Sequence, residues 1–242
     1  MKGRIVLITG ATSGIGSEIA FHFAKNGWNT ICQYNSSEEK ANKLCDLIRK
    51  EKVDCHLFRA DFTSYEEIMY FINEIEGYNV DTLVNNAGTY IVSKHFSKLT
   101  LNDILATFMV NTYAPIFLVG KLFAPMKNRK FGRIVNISSV AAKYGGSAHS
   151  MHYGCSKRSL EGLTKTIAKE GAQYNVLANT VRPGVIDTEF HKKYPKDMDK
   201  RISLIPVKKM GTPKDIAEIV YYLGSHNNNF ITNQIITISG GE

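Results

Sequence analysis

The chain has 242 residues, 43% of them apolar and 21% charged, and a formal charge of +8 from 30 basic and 22 acidic side chains. These figures fit an ordinary globular protein with a large core and exclude a disordered or low-complexity chain. The basic residues fall in short clusters at 127–133, 191–193 and 208–209, which excludes a nucleic-acid-binding stripe and suits an anionic cofactor, an anionic carrier or a plain solvated surface.

The opening "MKGRIVLITG" carries an apolar run too short for a signal peptide, and no later run is expected to span a bilayer, so a soluble cytoplasmic protein is expected. "RIVLIT" (4–9) reads as a buried strand. Residues 14–26 follow as a helix, with Ile15, Ile19, Phe23 and Ala24 on one face. A strand at 29–34, an amphipathic helix at 37–51, a strand at 55–60 and a helix near 64–75 come next. "DTLVNN" (81–86) is a fourth strand. A long helical region covers 101–127, bent or broken near Pro115. Strands at 132–138 and 175–181 flank a helix at 151–174. A helix at 212–223 and a strand at 233–239 complete the chain.

This alternation predicts an α/β fold, a doubly wound Rossmann-type parallel sheet of about seven strands with helices on both faces. Without a Pro/Gly/Ser-rich linker, residues 1–242 read as one domain. The polar stretch 186–206 reads as an irregular lid, where Phe190 and Tyr194 either line an apolar pocket or pin the lid to the core. Cys32, Cys45, Cys55 and Cys155 show no ligand spacing, so they read as reduced, mostly buried thiols, and no metal site is expected.

The turn after the first strand, Thr9-Gly-Ala-Thr-Ser-Gly-Ile-Gly16, places Gly10, Gly14 and Gly16 at the start of a helix. Glycine permits a tight turn and close approach of a ligand, and free N–H groups at a helix N-terminus favour phosphate. Thr12, Ser13 and Ile15 belong to the same turn. "NNAG", with Asn86, Ala87 and Gly88, ends the fourth strand where the strand order should reverse, the usual crevice of such sheets. Tyr153 and Lys157 stand at i and i+4 and share a helix face. An ammonium beside a phenol favours the phenolate, and bringing a tyrosine from about 10 towards 7 takes about 4 kcal/mol of differential stabilisation. Such a tyrosine is suited to acid–base chemistry near neutrality.

"TGATSGIG", "NNAG", Asn111 in "MVNTYAP", "ISS" at 137–139, "YGCSK" and "RPGVIDT" at 182–188 occur in that order. The chain resembles the short-chain dehydrogenase/reductase family from end to end, nearest to 3-oxoacyl-acyl-carrier-protein reductases. The resemblance implies a nicotinamide cofactor, a homotetramer, no metal in catalysis, and a tetrad of Asn111, Ser139, Tyr153 and Lys157. Tyr153 would donate a proton, Ser139 would hold the reacting oxygen, Lys157 would also hold the ribose hydroxyls, and Asn111 would support a water chain. Ser138 is the alternative serine. Pro183, Gly184, Val185, Ile186 and Thr188 would hold the nicotinamide end, and Asp61 and Phe62 the adenine.

The end of the second strand carries Tyr34, Asn35 and Ser36 in place of the carboxylate that selects NAD, so NADP(H) is expected over NAD(H), although the basic residue of many NADP enzymes is missing at Ser13. Arg129, Lys130 and Arg133 form a basic edge for an acidic carrier protein. The departures are "EGAQYN" after the catalytic helix, which lacks a docking arginine, and Arg182 in place of the usual alanine. A reductase or dehydrogenase of a small alcohol, sugar or secondary metabolite is the second expectation. A nucleotide-binding regulator without catalysis is a third, of a different class.

Overall fold

A computed structural model describes residues 3–90, 92–190 and 197–242. Among them, seven strands pair in parallel: β1 Ile5–Ile8, β2 Asn29–Tyr34, β3 Cys55–Arg59, β4 Thr82–Asn85, β5 Gly132–Ile137, β6 Val176–Pro183 and β7 Ile235–Ile238. Their order across the sheet is β3-β2-β1-β4-β5-β6-β7. The chain builds outward from β1 to β3, then returns to lay β4 on the other side of β1. That reversal opens a crevice at the carboxyl ends of β1 and β4.

The helices are α1 Gly14–Lys25, α2 Glu38–Arg49, α3 Tyr65–Glu74, α4 Leu101–Phe108, α5 Ala114–Asn128, α6 Val140–Tyr144, α7 Met151–Gly171, α8 Met198–Ser203 and α9 Pro213–Gly224. Side chains alternate across a strand, so β1 feeds two cores. Ile5 and Leu7 pack with Ile68 and Phe71 of α3, Leu118 of α5 and Ile167 of α7. Val6 and Ile8 pack with Ile19 and Phe23 of α1, Leu44 of α2 and Ile216 of α9. The Rossmann-type arrangement expected from the sequence is present.

Local chemistry sets the helix starts. Ser13 caps α1 by accepting from Gly16 N, and Ser64 caps α3 by accepting from Glu67 N. Thr100 with Asp103, and Thr212 with Asp215, form capping boxes at α4 and α9. The break expected near Pro115 is a π-helical turn, Met109–Tyr113, between α4 and α5. Proline has no N–H, so Pro115 cannot give the Asn111 carbonyl its ordinary i+4 bond.

One expectation needs correction. The helical run Leu101–Asn128 has the length and apolar composition to cross a membrane, contrary to the reading above; here the π turn interrupts it, and Leu118, Leu122 and Met126 are buried in the core. Within 186–206, the described residues 186–190 and 197–206 include α8, a bridge between Ile186 and Gly211, and buried Ile186 and Ile205. Tyr194 and the 191–193 cluster lie outside the described residues. Cys32, Cys45 and Cys55 are buried and Cys155 is exposed, in line with the expectation of mostly buried thiols.

Candidate active site

A cavity of about 860 Å³ lies at the crevice. Gly10, Thr12, Ser13, Gly14 and Ile15 line one end, with Asn35, Ser36, Asp61 and Phe62 nearby. Asn86, Ala87 and Gly88 line the middle. Ser139, Tyr153, Lys157, Pro183, Gly184, Val185, Ile186 and Thr188 line the other end. Three expected residues are not on its wall. Gly16 is buried behind the turn, where a Cβ would strike Gly10 O and approach Asn86 Nδ2 to 2.7 Å. Tyr34 is buried at the end of β2 and off the cavity wall. Asn111 is fully buried.

The glycine turn is shaped from within the fold. Gly10 has φ +61°, the left-handed region, and a Cβ there would come 2.8 Å from Ala87 Cα. Thr9 Oγ1 accepts from Asn86 N and Ala87 N, each at 3.0 Å. Asn86 Nδ2 donates to Thr9 O, Gly10 O and Ser13 Oγ at 2.9, 3.0 and 3.2 Å. Gln33, which the sequence reading missed, accepts from Gly10 N at 2.8 Å and donates to Ala60 O at 2.7 Å. A polar side chain facing the turn from β2 was the available signal. Asp61 accepts from Thr63 N and Thr63 Oγ1, both at 2.9 Å.

At the far end, α7 presents Tyr153 and Lys157 on one face. Lys157 is buried, and its Nζ donates to Ile137 O at 2.8 Å. Burial pushes its ammonium down to about 8. Nζ lies 6.0 Å from the centroid of the Tyr153 ring. Gly88 makes this approach possible, since a Cβ there would sit 2.6 Å from Lys157 Nζ. Asn111 braces the wall beside it. Its Nδ2 donates to Thr89 O at 2.8 Å and Ser156 Oγ at 2.9 Å, and its Oδ1 accepts from Thr89 N at 2.9 Å.

The adjacent serines point different ways. Ser138 Oγ donates to Glu161 Oε1 at 2.8 Å, away from the reacting groups. Ser139 Oγ accepts from Ala141 N at 3.1 Å and caps α6. A hydroxyl that accepts still has its own proton to give. Beside Tyr153, Tyr90 lies at 5.6 Å and Phe190 at 6.3 Å between ring centroids, and Tyr90 and Phe190 are 5.9 Å apart.

Two charge expectations change. Of the expected basic edge Arg129, Lys130 and Arg133, Lys130 is exposed and Arg129 half-buried, but Arg133 is buried. Arg133 opens β5 at the amino end of the strands and is buried, and Arg129 donates to Val80 O at 2.6 Å. The cavity lies at the opposite, carboxyl end. The basic residue that seemed missing at the adenosine end has a counterpart in Lys40, on the first turn of α2. It lines the cavity beside Asn35 and Ser36 and pairs with Glu189 at 2.6 Å.

The residues present fit a dinucleotide. The start of α1 offers free N–H groups to a pyrophosphate, the glycines leave room that Cβ atoms would fill, and a cation and two hydroxyls stand at the other end. A Rossmann-type sheet with such a cavity at its reversal point defines a nucleotide-binding protein. The short chain dehydrogenase family model matches residues 4–199, and the chain belongs to the short-chain dehydrogenase/reductase family, whose members are NAD(P)-dependent oxidoreductases. It is 33% identical to the 3-oxoacyl-[acyl-carrier-protein] reductase FabG of Aquifex aeolicus, over 100% of this chain and 98% of that one. It is 29% identical to the hydroxynaphthalene reductase-like protein Arp2 of Metarhizium acridum, over 100% and 95%. Among solved structures, a 3-oxoacyl (acyl-carrier-protein) reductase from Agrobacterium tumefaciens with NADP bound superposes with a TM-score of 0.90, at 26% identity over 99% and 94% of the two chains.

Proposed function

We propose that this protein is an NADPH-dependent ketoreductase that turns a 3-oxoacyl thioester into its secondary alcohol. The observation that carries the reading is the pairing of Tyr153 and Lys157 in the cavity, with the glycine turn at its other end. When bound, a reduced nicotinamide supplies hydride to the carbonyl carbon. Tyr153 gives its hydroxyl proton to the carbonyl oxygen as that oxygen becomes an alcohol. Ser139 donates to the same oxygen and fixes its place. Lys157 favours loss of the tyrosine proton by its charge. Its remaining donors suit the ribose hydroxyls. The Asn111 carbonyl, denied its usual partner by Pro115, is an acceptor for a water that returns the proton. Thr188 and the 183–186 backbone hold the carboxamide, and Asp61 and Phe62 the adenine.

Lys40 supports the choice of NADPH. An ammonium beside neutral Asn35 and Ser36 attracts a 2′-phosphate, and a phosphate competes with Glu189 for it. The thioester follows the relative named FabG. A second reading, a flat cyclic ketone, is favoured by the rings of Tyr90 and Phe190 against Tyr153. The residues 1–242 act as one domain, with 186–206 as its lid. The four free cysteines fit a cytoplasmic location. Exposed Leu101, Leu105, Ile116, Phe117 and Met151 on α4, α5 and α7 fit a homotetramer interface.

The test is a screen of NADPH oxidation with acetoacetyl thioesters beside simple ketones, sugars and quinones. Turnover of the thioesters above the others supports the first reading. Preference for cyclic ketones selects the second, and no turnover of any carbonyl overturns both.

A further inference from the structure

Behind the cavity wall lies a carboxylate that no step above uses. Glu161 stands on α7 one helical turn beyond Lys157, so Tyr153, Lys157 and Glu161 share a face at i, i+4 and i+8. It is 2% exposed. Its Oε1 accepts from Ser138 Oγ at 2.8 Å and Arg182 Nε at 2.9 Å. Its Oε2 accepts from an Arg182 terminal nitrogen at 2.8 Å and from Arg158 at 3.1 Å. The Arg182 contact is bidentate, the geometry that adds direction as well as energy. Lys157 O lies 3.4 Å from the Ser138 hydroxyl oxygen.

Glu161, Ser138 and Arg182 sit on three different segments. Ser138 precedes Ser139 at the end of β5. Arg182 precedes Pro183 and Gly184 at the end of β6. Glu161 itself shares α7 with Tyr153 and Lys157. Apolar side chains of similar volume would fill the same space with no desolvation cost, so a buried ion pair is weak as a stability device. What the carboxylate adds is direction: each bond fixes one segment against the other two.

We propose that Glu161 is a positioning residue, resting on the ketoreductase reading: its carboxylate holds Ser138 and Arg182 to the catalytic helix, and thereby sets Ser139, the Tyr153–Lys157 pair and the 183–185 wall at a fixed mutual spacing. It touches neither substrate nor cofactor; it acts through Ser138, Arg182 and its own helix. A displacement of order 1 Å between reacting groups lowers rate by about a hundredfold.

The experiment compares wild type with Glu161→Gln, Glu161→Asp and the charge-free double variant Glu161→Leu with Arg182→Leu. Melting temperature, NADPH affinity by fluorescence, kcat, KM and the deuterium isotope effect on kcat with 4-deuterated NADPH are read for each. In Glu161→Gln, kcat falls about 10- to 100-fold with KM within about threefold, and the isotope effect rises as hydride transfer becomes slow. Glu161→Asp lies between. The double variant melts no lower than Glu161→Gln, because no buried charge is left unpaired and Arg158, which loses its partner, is 65% exposed, yet it keeps the low kcat. A double variant with wild-type kcat, or a Glu161→Gln with lowered melting temperature but unchanged kcat and isotope effect, overturns the inference. If wild type binds NADPH but reduces no ketone, the ketoreductase reading fails and binding decides. About tenfold weaker NADPH binding in Glu161→Gln then supports the positioning role, and unchanged affinity overturns it.

Discussion

Two buried cations occupy opposite ends of the central sheet, and they behave oppositely. Arg133 at the amino end and Lys157 at the carboxyl end are each 2% exposed, and neither contacts a carboxylate among the described residues. Burial lowers both, Arg133 to about 10 and Lys157 to about 8. All five Arg133 donors are spent, on the Asn228, Gly132 and Asn175 carbonyls and on Asn175 Oδ1. Lys157 spends one of its three donors, on Ile137 O, and faces a cavity with the rest. A saturated cation is structure. An unsaturated one, kept in low dielectric beside a phenol, has hydrogen-bonding capacity left for chemistry.

The largest expected effect lies at the phenol. Tyr153→Phe lowers kcat about a thousandfold while NADPH affinity, read by fluorescence, stays within about threefold. A nucleotide-binding regulator would keep its function in that variant.

Replacing each cation in turn sharpens the contrast. The unfolded chain holds the Lys157 proton more tightly than the folded one, because burial lowers the folded value from 10.5 to about 8. Stability therefore rises with pH between about 8 and 10, and the full penalty applies below 8. Lys157→Met is expected to stabilise the fold at pH 7 by about 1–3 kcal/mol while lowering kcat about a hundredfold or more. Arg133→Met leaves buried carbonyls without donors and lowers stability by about 2–4 kcal/mol, with kcat of the folded protein unchanged. Urea titrations of both variants at pH 7 and 10 check the signs; two losses of stability at pH 7 would break the comparison.

Smaller effects belong to the cofactor end. Gly10→Ala forces a Cβ into a left-handed position against Ala87 Cα, and is expected to weaken NADPH binding about tenfold with about 1–3 kcal/mol of strain. In wild type NADPH binds at least about tenfold tighter than NADH, about 1.4 kcal/mol. Lys40→Ala narrows that ratio about threefold or more and leaves NADH unchanged. Equal dissociation constants in wild type would remove the preference altogether.

The strands were legible because a parallel sheet buried on both faces writes itself as short runs of β-branched residues. The turn glycines and the Tyr153–Lys157 spacing were legible because each is local. What the sequence hides is direction. Gln33 and Tyr34 are neighbours on β2, but Gln33 reaches the glycine turn and Tyr34 packs into the sheet. Arg129 and Arg133 look like a basic edge until the fold buries Arg133 and turns Arg129 onto the Val80 carbonyl. The α6 turn is short and depends on Ser139 as its cap, a weak signal in composition. Arg182 stood out as unusual, but nothing in the spacing joins it to Glu161 across a helix and a strand.

The most direct test is the pH dependence of kcat for ketone reduction in wild type and Lys157→Met. With Lys157 near 8, the wild-type rate should fall above about pH 8 as the ammonium loses its proton, whereas the variant should be slow and show no limb there. The same limb in Lys157→Met, or a wild-type rate that is flat through pH 8, would contradict the role assigned to that unspent charge.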